Sequence, residues 1–298
     1  MDYKEFKENV LREIGKKAVG ADVSIEDVKK GKREARAGLM IRYPDVNICP
    51  VIYLEEYYDK MCMEGDFQKI VQEIWEKYLN YKVEKGINKD LICRWELAKE
   101  KICVRLMNYD NNKDMLEEMP YRRFLDLAIV YFLPIEIERM AKATFLVDNS
   151  CLEVWGVSRE EMDKCALENY QTLYTAEVIR LVDMFNGAPV NIPGASQEES
   201  MYEGPNYMYV ITNQEFVFGA ARMLFPKELE ELSDKFESDL YILPSSIHEL
   251  IVLPQSEGEP DNLREMVEGV NEYMVEPDER LSDNVYRYFR ESGEIEIA

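Results

Sequence analysis

The sequence holds one histidine, His248, and that scarcity removes several chemistries at once. An HExxH zinc protease needs two histidines one helical turn apart. A structural zinc site needs four clustered thiolate or imidazole ligands. Six cysteines stand at 49, 62, 93, 103, 151 and 165, and none forms a CxxC pair. They are expected to be small buried residues with reduced thiols. GxG does not occur anywhere, so the glycine cradles that bind dinucleotides are missing. Gly15 and Gly31 precede lysines, but Lys17 and Arg33 follow where a P-loop needs Ser or Thr. No metal and no cofactor is therefore expected.

Long apolar runs are missing too. The longest, Phe124–Ile137, is interrupted by Asp126, Pro134 and Glu136 and is too short to span a bilayer. The opening MDYKEFKENV has no apolar core of an export signal. The expected compartment is the cytoplasm.

What is abundant is acid. The chain of 298 residues carries 36 Lys+Arg against 59 Asp+Glu, a net charge of −23. Residues 1–113 are near neutral, so the excess lies beyond them. Such a surface repels phosphate and anionic lipid, so neither nucleic acid nor membrane is an expected partner. A basic protein partner fits the sign, and so does a role confined to solubility. The apolar share of 46% is enough for a real core.

Periodicity gives a mixture of elements. Phe6, Val10, Leu11 and Ile14 mark a helix over 2–18, ended by Gly20. Strands are expected at Asp22–Val28, Gly38–Tyr43 and Asn47–Leu54. Between the first two lies a hairpin loop with the bases Lys29, Lys30, Lys32, Arg33 and Arg36. They read as solvated charge, with a small anion patch as the alternative. Helices are expected at Glu55–Met63, Asp66–Lys82, Asp90–Lys99 and Asn111–Met119, with a strand at Lys101–Met107. FLDLAIVYF (124–132) reads as one strand buried on both faces, with Ala141–Val147 as its partner. Ser158, with Glu161 three residues on, opens a helix to Leu173, and Thr175–Phe185 reads as another. A long loop occupies 186–206. A hairpin is expected over Tyr207–Gly219, and a helix over Pro226–Phe236. The strands Asp239–Leu243 and Ile247–Leu253 follow, joined by Pro244-Ser245-Ser246. A helix over Asn262–Val275 and a strand over Val285–Phe289 complete the chain. Without regular βαβ alternation the expected class is α+β, with mainly antiparallel sheets packed against helices. Two regions are drawn from the charge, 1–115 and an acidic 116–298.

Several stretches carry a resemblance: RLMNYDNN (105–112), RRFLDLAIVYF (122–132), DNSCLEVWGVSREEMDKCALEN (148–169), SDLYILPSSIHELIVLP (238–254) and LSDNVYRYFRESGEI (281–295). Together they resemble an uncharacterised bacterial family, domain of unknown function 5688. LEVWGVS and LPSSIHE are also similar to domain of unknown function 1444. The resemblance implies a cytosolic protein of anaerobic Gram-positive bacteria. It transfers no activity, cofactor or site residue.

The sharpest local pattern is Leu243-Pro244-Ser245-Ser246-Ile247-His248-Glu249. A nucleophilic hydrolase needs a hydroxyl, a base and a carboxylate to orient the base. Ser246 or Ser245 and His248 supply the first two. In a strand Glu249 would face away from His248, so the acid would come from Asp239 or Asp126. No glycine stands between 220 and 257 to open an oxyanion hole. The competing reading is a tight turn, with Pro and Ser as turn residues and His248 packed. Asp126, inside an apolar run, is a second candidate, or else a structural carboxylate paired with Arg122 or Arg123. Trp155 reads as a core anchor rather than a pocket wall. The preferred reading is a non-enzymatic binding or interaction protein. The alternatives are a hydrolase using Ser246, His248 and Asp126, and an acidic mimic of nucleic acid.

Overall fold

Asp2 starts the first helix by accepting the Glu5 amide, one of the N–H groups that the first turn leaves without a partner. In the computed structural model this helix, α1, runs Tyr3–Lys17 and buries Phe6, Val10 and Ile14 along one face. The structure describes residues 1–28, 35–137, 140–185 and 206–298, with 140–142 as backbone only. Lys29, Lys30, Lys32 and Arg33 lie outside the described residues, as does the expected long loop up to residue 205. Arg36 is described, and it pairs with Glu55 and Glu56.

The chain divides into two compact units. The first comprises Met1–Ile92 and Pro134–Phe145. Its strands β1 (Asp22–Val28), β2 (Arg36–Arg42) and β3 (Val51–Tyr53) form an antiparallel sheet in that order. Helices α2 (Glu55–Glu64) and α3 (Phe67–Tyr81) follow, α3 capped by Asp66. Phe6, Ile14, Leu39, Ile41, Ile74 and Tyr78 belong to one buried cluster. The stripe on α3 thus faces a core, as its 3.6-residue spacing requires.

The expected helix over Asp90–Lys99 is two short ones, α4 (Lys89–Cys93) and α5 (Trp95–Ala98). Arg94 between them is extended, with φ −122° and ψ 117°.

The second unit comprises Cys93–Leu133 and Leu146–Ala298. Strand β4 (Cys103–Asn108), helix α6 (Lys113–Leu116), strand β5 (Tyr121–Phe124) and strand β6 (Leu127–Ile137) as far as Leu133 come first, while the rest of β6 and strand β7 (Met140–Leu146) up to Phe145 belong to the first unit. The sheet order is β4-β6-β5, with β7 also on β6. The run expected as one strand over Phe124–Phe132 is therefore a hairpin. Phe124 pairs with Leu127, and Leu125 between them takes a left-handed φ of 55°. Two-residue hairpin loops demand that conformation, and Asp126 completes the turn.

Helix α7 (Asn149–Trp155) ends at Gly156, whose φ is +67°, and α8 (Arg159–Leu173) begins at Ser158. The Ser158 hydroxyl accepts the Glu161 N–H at 3.1 Å, as the capping pattern predicts. Trp155 is buried and packs on Trp95, ring centroids 5.4 Å apart.

Strand β8 (Ala176–Arg180) and short helix α9 (Leu181–Phe185) replace the expected helix over Thr175–Phe185. Val178 and Ile179 pair with Ile211 and Val210, so sheet pairing outweighs local propensity there. Strands β9 (Tyr209–Asn213), β10 (Leu240–Leu243), β11 (Leu250–Pro254), β12 (Tyr286–Tyr288) and β13 (Ile295–Ile297) complete a sheet of order β13-β12-β10-β11-β9-β8. Helices α10 (Lys227–Phe236) and α11 (Pro260–Tyr273) separate its strands in sequence. Every pairing in it is antiparallel, and the class is α+β.

The unit boundary differs from the 115/116 line drawn from charge, because β4 pairs with β6 and so lies in the second unit. Charge nevertheless follows the units. The first holds 19 Lys+Arg against 20 Asp+Glu, and the second 17 against 39. No helix among the described residues is long and apolar enough to cross a membrane.

Candidate functional site

The Leu243–Glu249 segment is a bend between β10 and β11, not the start of a strand. Ser246 forms an isolated antiparallel bridge with Arg280, and the Ile247 N–H donates to the Glu279 carbonyl at 2.9 Å. The alternation argument that separated Glu249 from His248 therefore lapses. The bend is held by its own side chains. The Ser246 hydroxyl accepts the His248 backbone N–H at 2.9 Å, which is serine turn chemistry. Ser245 and Ser246 are both buried.

His248 has partners on both ring nitrogens. Nδ1 accepts the Phe218 backbone N–H at 3.3 Å. The neutral ring then carries its proton on Nε2, which lies 3.4 Å from a Glu279 carboxylate oxygen. Phe218 stacks on the imidazole, with centroids 5.8 Å apart and planes 12° from parallel. No hydrogen bond joins the imidazole to Ser245 or Ser246 among the described residues. A general base needs a free lone pair aimed at the hydroxyl, and this ring has committed it to a backbone amide.

Glu249 is raised above the usual carboxylate range by burial, against a hydrogen bond with Ser246. Asp239, the first distant acid considered, is committed elsewhere. Arg287 donates to it twice, at 2.6 and 3.0 Å, and the Arg290 N–H once at 3.0 Å. Burial alone would raise its pKa, but these donors outweigh that and hold it below the usual range.

Asp126 sits at the tip of the β5–β6 hairpin. Its carboxylate accepts the Ser282 hydroxyl at 2.7 Å, the Asn284 amide at 3.0 Å and the Tyr286 hydroxyl. Arg122 pairs instead with Asp163, and the Arg123 guanidinium lies over the Tyr109 ring. Asp126 thus ties the hairpin to residues 282–286, and it makes no hydrogen bond with His248. Burial, then the Asp126 charge, pushes the Tyr286 hydroxyl well above the ordinary tyrosine range.

The family of unknown function DUF5688 matches residues 3–290. The chain belongs to DUF5688. No curated protein and no solved structure matches it. In this DUF5688 chain the Nδ1 and stacking partner of His248, Phe218, comes from a second loop.

That loop, Asn213–Gly219, was expected to be a hairpin around Asn213-Gln214. It is instead a tight excursion in which Phe216 and Phe218 both have left-handed φ, 52° and 56°. Asn213, fully buried, builds it: Oδ1 accepts the Glu215 N–H at 3.0 Å, and Nδ2 donates to the Val217 carbonyl at 2.8 Å. The Tyr170 hydroxyl donates to the Phe218 carbonyl at 2.8 Å. Thr212 donates to the His248 carbonyl at 2.8 Å. Gly219 is required by close approach, since an added Cβ would lie 2.3 Å from both the His248 carbonyl oxygen and Thr212 Oγ1. Arg105 of β4 also stands over the Phe218 ring, its guanidinium carbon 4.9 Å from the centroid. Asn213, Gly219 and Arg105 carry no motif, and the sequence marks this stretch only as the second half of a hairpin.

Two clefts of about 480 and 540 Å³ lie elsewhere in the second unit, and neither includes His248, Ser246 or Asp126. Among the described residues no group of three or more His, Cys, Asp or Glu side chains could hold a metal. The cysteine expectation holds only in part. Cys103 and Cys151 are buried, and burial pushes their thiols up to about 12 and about 11. Cys62 and Cys93 are exposed.

Proposed function

We propose that this chain is a non-enzymatic binding protein of the bacterial cytoplasm, and that its second unit engages a basic protein partner. The observation that carries the reading is the segregation of charge. One compact unit is balanced, and the other holds more than twice as many acids as bases. Such a field steers a cationic surface toward it and repels nucleic acid and anionic lipid. The hydrolase reading is disfavoured because both His248 nitrogens are engaged away from the serines.

The test is fluorescence anisotropy with a labelled Lys/Arg-rich peptide and a Glu-rich peptide of equal length. The basic peptide is expected to bind saturably, and to weaken about tenfold or more between roughly 50 and 300 mM salt as the charges are screened. Equal binding of both peptides, or affinity indifferent to salt, would overturn the reading.

A further inference from the structure

Two arginines of the second unit pack against aromatic rings, and their surroundings differ. Arg222 pairs with Glu228 at 2.6 Å, both side chains almost wholly buried, and stacks on Phe225. Arg105 has no carboxylate and no hydrogen bond among the described residues, although its unit holds 39 acids. Its Nε is shielded from solvent without a partner. The residue as a whole is only half-buried, so the terminal amino groups are the part of the fork that reaches solvent. Burial alone pushes its pKa down to about 10.

An unpaired, partly desolvated cation is costly to keep, and among the described residues the ring of Phe218 is the favourable neighbour it has. That ring is placed with some effort. Phe218 adopts a left-handed backbone, which a bulky residue avoids unless its surroundings enforce it. Here the enforcement is visible: the Asn213 bonds, the Tyr170 hydroxyl on the Phe218 carbonyl, and the His248 imidazole that takes the Phe218 N–H and stacks on the ring. The result is a guanidinium and an imidazole both set against one phenyl ring, with no acceptor on the guanidinium among the described residues.

We propose that Arg105, backed by Phe218, is the cation of a binding site for a small oxyanion, a carboxylate or a phosphate group. The planar fork matches either group with two parallel N–H···O bonds. The acidic field of the unit opposes entry of anions at long range, but salt screens it beyond roughly 8 Å, and the local cation has no competing carboxylate. His248 and Asn213 act as positioning residues, since they touch the Phe218 loop rather than the anion. The site is independent of the basic partner proposed above.

The experiment is thermal unfolding of the whole chain in sodium phosphate, sodium succinate and sodium chloride at matched ionic strength. Phosphate or succinate is expected to raise Tm over chloride by about 2 °C or more at saturation. A shift with only one of the two assigns the anion, and a shift with neither overturns the site. Arg105→Met is expected to fold, because it removes an unpaired buried charge, and to lose the shift. Arg105→Lys keeps the charge without the fork and is expected to bind about tenfold more weakly. A full shift in Arg105→Met would place the anion elsewhere and overturn the proposal. Phosphate titration of the wild-type chain followed by amide NMR gives a second readout, in which the Phe218 and Gly219 signals should move first. Saturating Tm shifts with those two signals unmoved would also overturn it.

Discussion

The Phe218 backbone N–H points at Nδ1 of His248, 3.3 Å away, and the two rings lie 12° from parallel. The imidazole is thereby an acceptor for a strained loop, and the neighbouring Ser246 hydroxyl accepts a main-chain N–H of the bend. A fluorophosphonate probe should leave the folded chain unlabelled at both Ser245 and Ser246, as read by intact mass. Ser246→Ala should cost about 1 kcal/mol in urea denaturation, the worth of an ordinary hydrogen bond. Stoichiometric labelling at Ser246 would restore the hydrolase reading.

Gly219 tolerates no side chain. In Gly219→Ala the new methyl would overlap the His248 carbonyl oxygen and Thr212 Oγ1. Backbone atoms yield little, so a loss of about 2 kcal/mol or more is expected from overpacking, with the urea midpoint as the readout. Gly269→Ala, which has open space at the same atom, should cost nothing and provides the control.

The Asp126 carboxylate answers three donors from one short segment. Asp126→Asn keeps one acceptor oxygen and leaves donors unmet, so it should cost about 2–3 kcal/mol. Tyr286→Phe removes one donor and leaves the carboxylate with two, so about 1 kcal/mol is expected. Equal costs in equilibrium unfolding would show that the cluster is not the anchor described.

Alkaline pH should unfold the chain cooperatively. Burial pushes Tyr78 up to about 12 in the first unit, and in the second it raises Tyr131, Tyr170 and Tyr286 well above the ordinary range. In the unfolded chain these phenols ionise near about pH 10. A folded pKa above the unfolded one gives stability that is fully present below about pH 10 and is lost as pH rises beyond it. Phenolate absorbance from these residues should therefore appear together with loss of circular dichroism. A gradual phenolate signal with the fold intact would contradict the burial.

Much of the fold was legible because it rests on local rules. Ser158 and Glu161 announce α8, and the stripe from Phe67 to Tyr78 announces α3. Illegible features depend on partners distant in sequence. Val178 and Ile179 become a strand because Ile211 and Val210 pair with them, and Tyr121–Phe124 separates from the rest of the apolar run because it folds back to pair with Leu127–Val130. At the site, the sequence pointed to His248, Ser246 and Asp126, and each has a definite place. Their partners, Phe218, Glu279, Ser282 and Asn284, were out of reach because 30 to 158 residues separate them. Arg105 was invisible for the same reason, since an arginine without a carboxylate is recognisable only in three dimensions.

The first unit takes a second segment, Pro134–Phe145, from strands β6 and β7, so it is not complete at residue 92. A ribosome releases the amino end first, and the nascent chain must wait for more than forty further residues before that unit has all its pieces. Cutting the gene at codon 115 would strand β4 without its mate and withhold Pro134–Phe145 from the amino-terminal half. Both fragments should then enter inclusion bodies, whereas the intact gene yields a protein whose halves mature together.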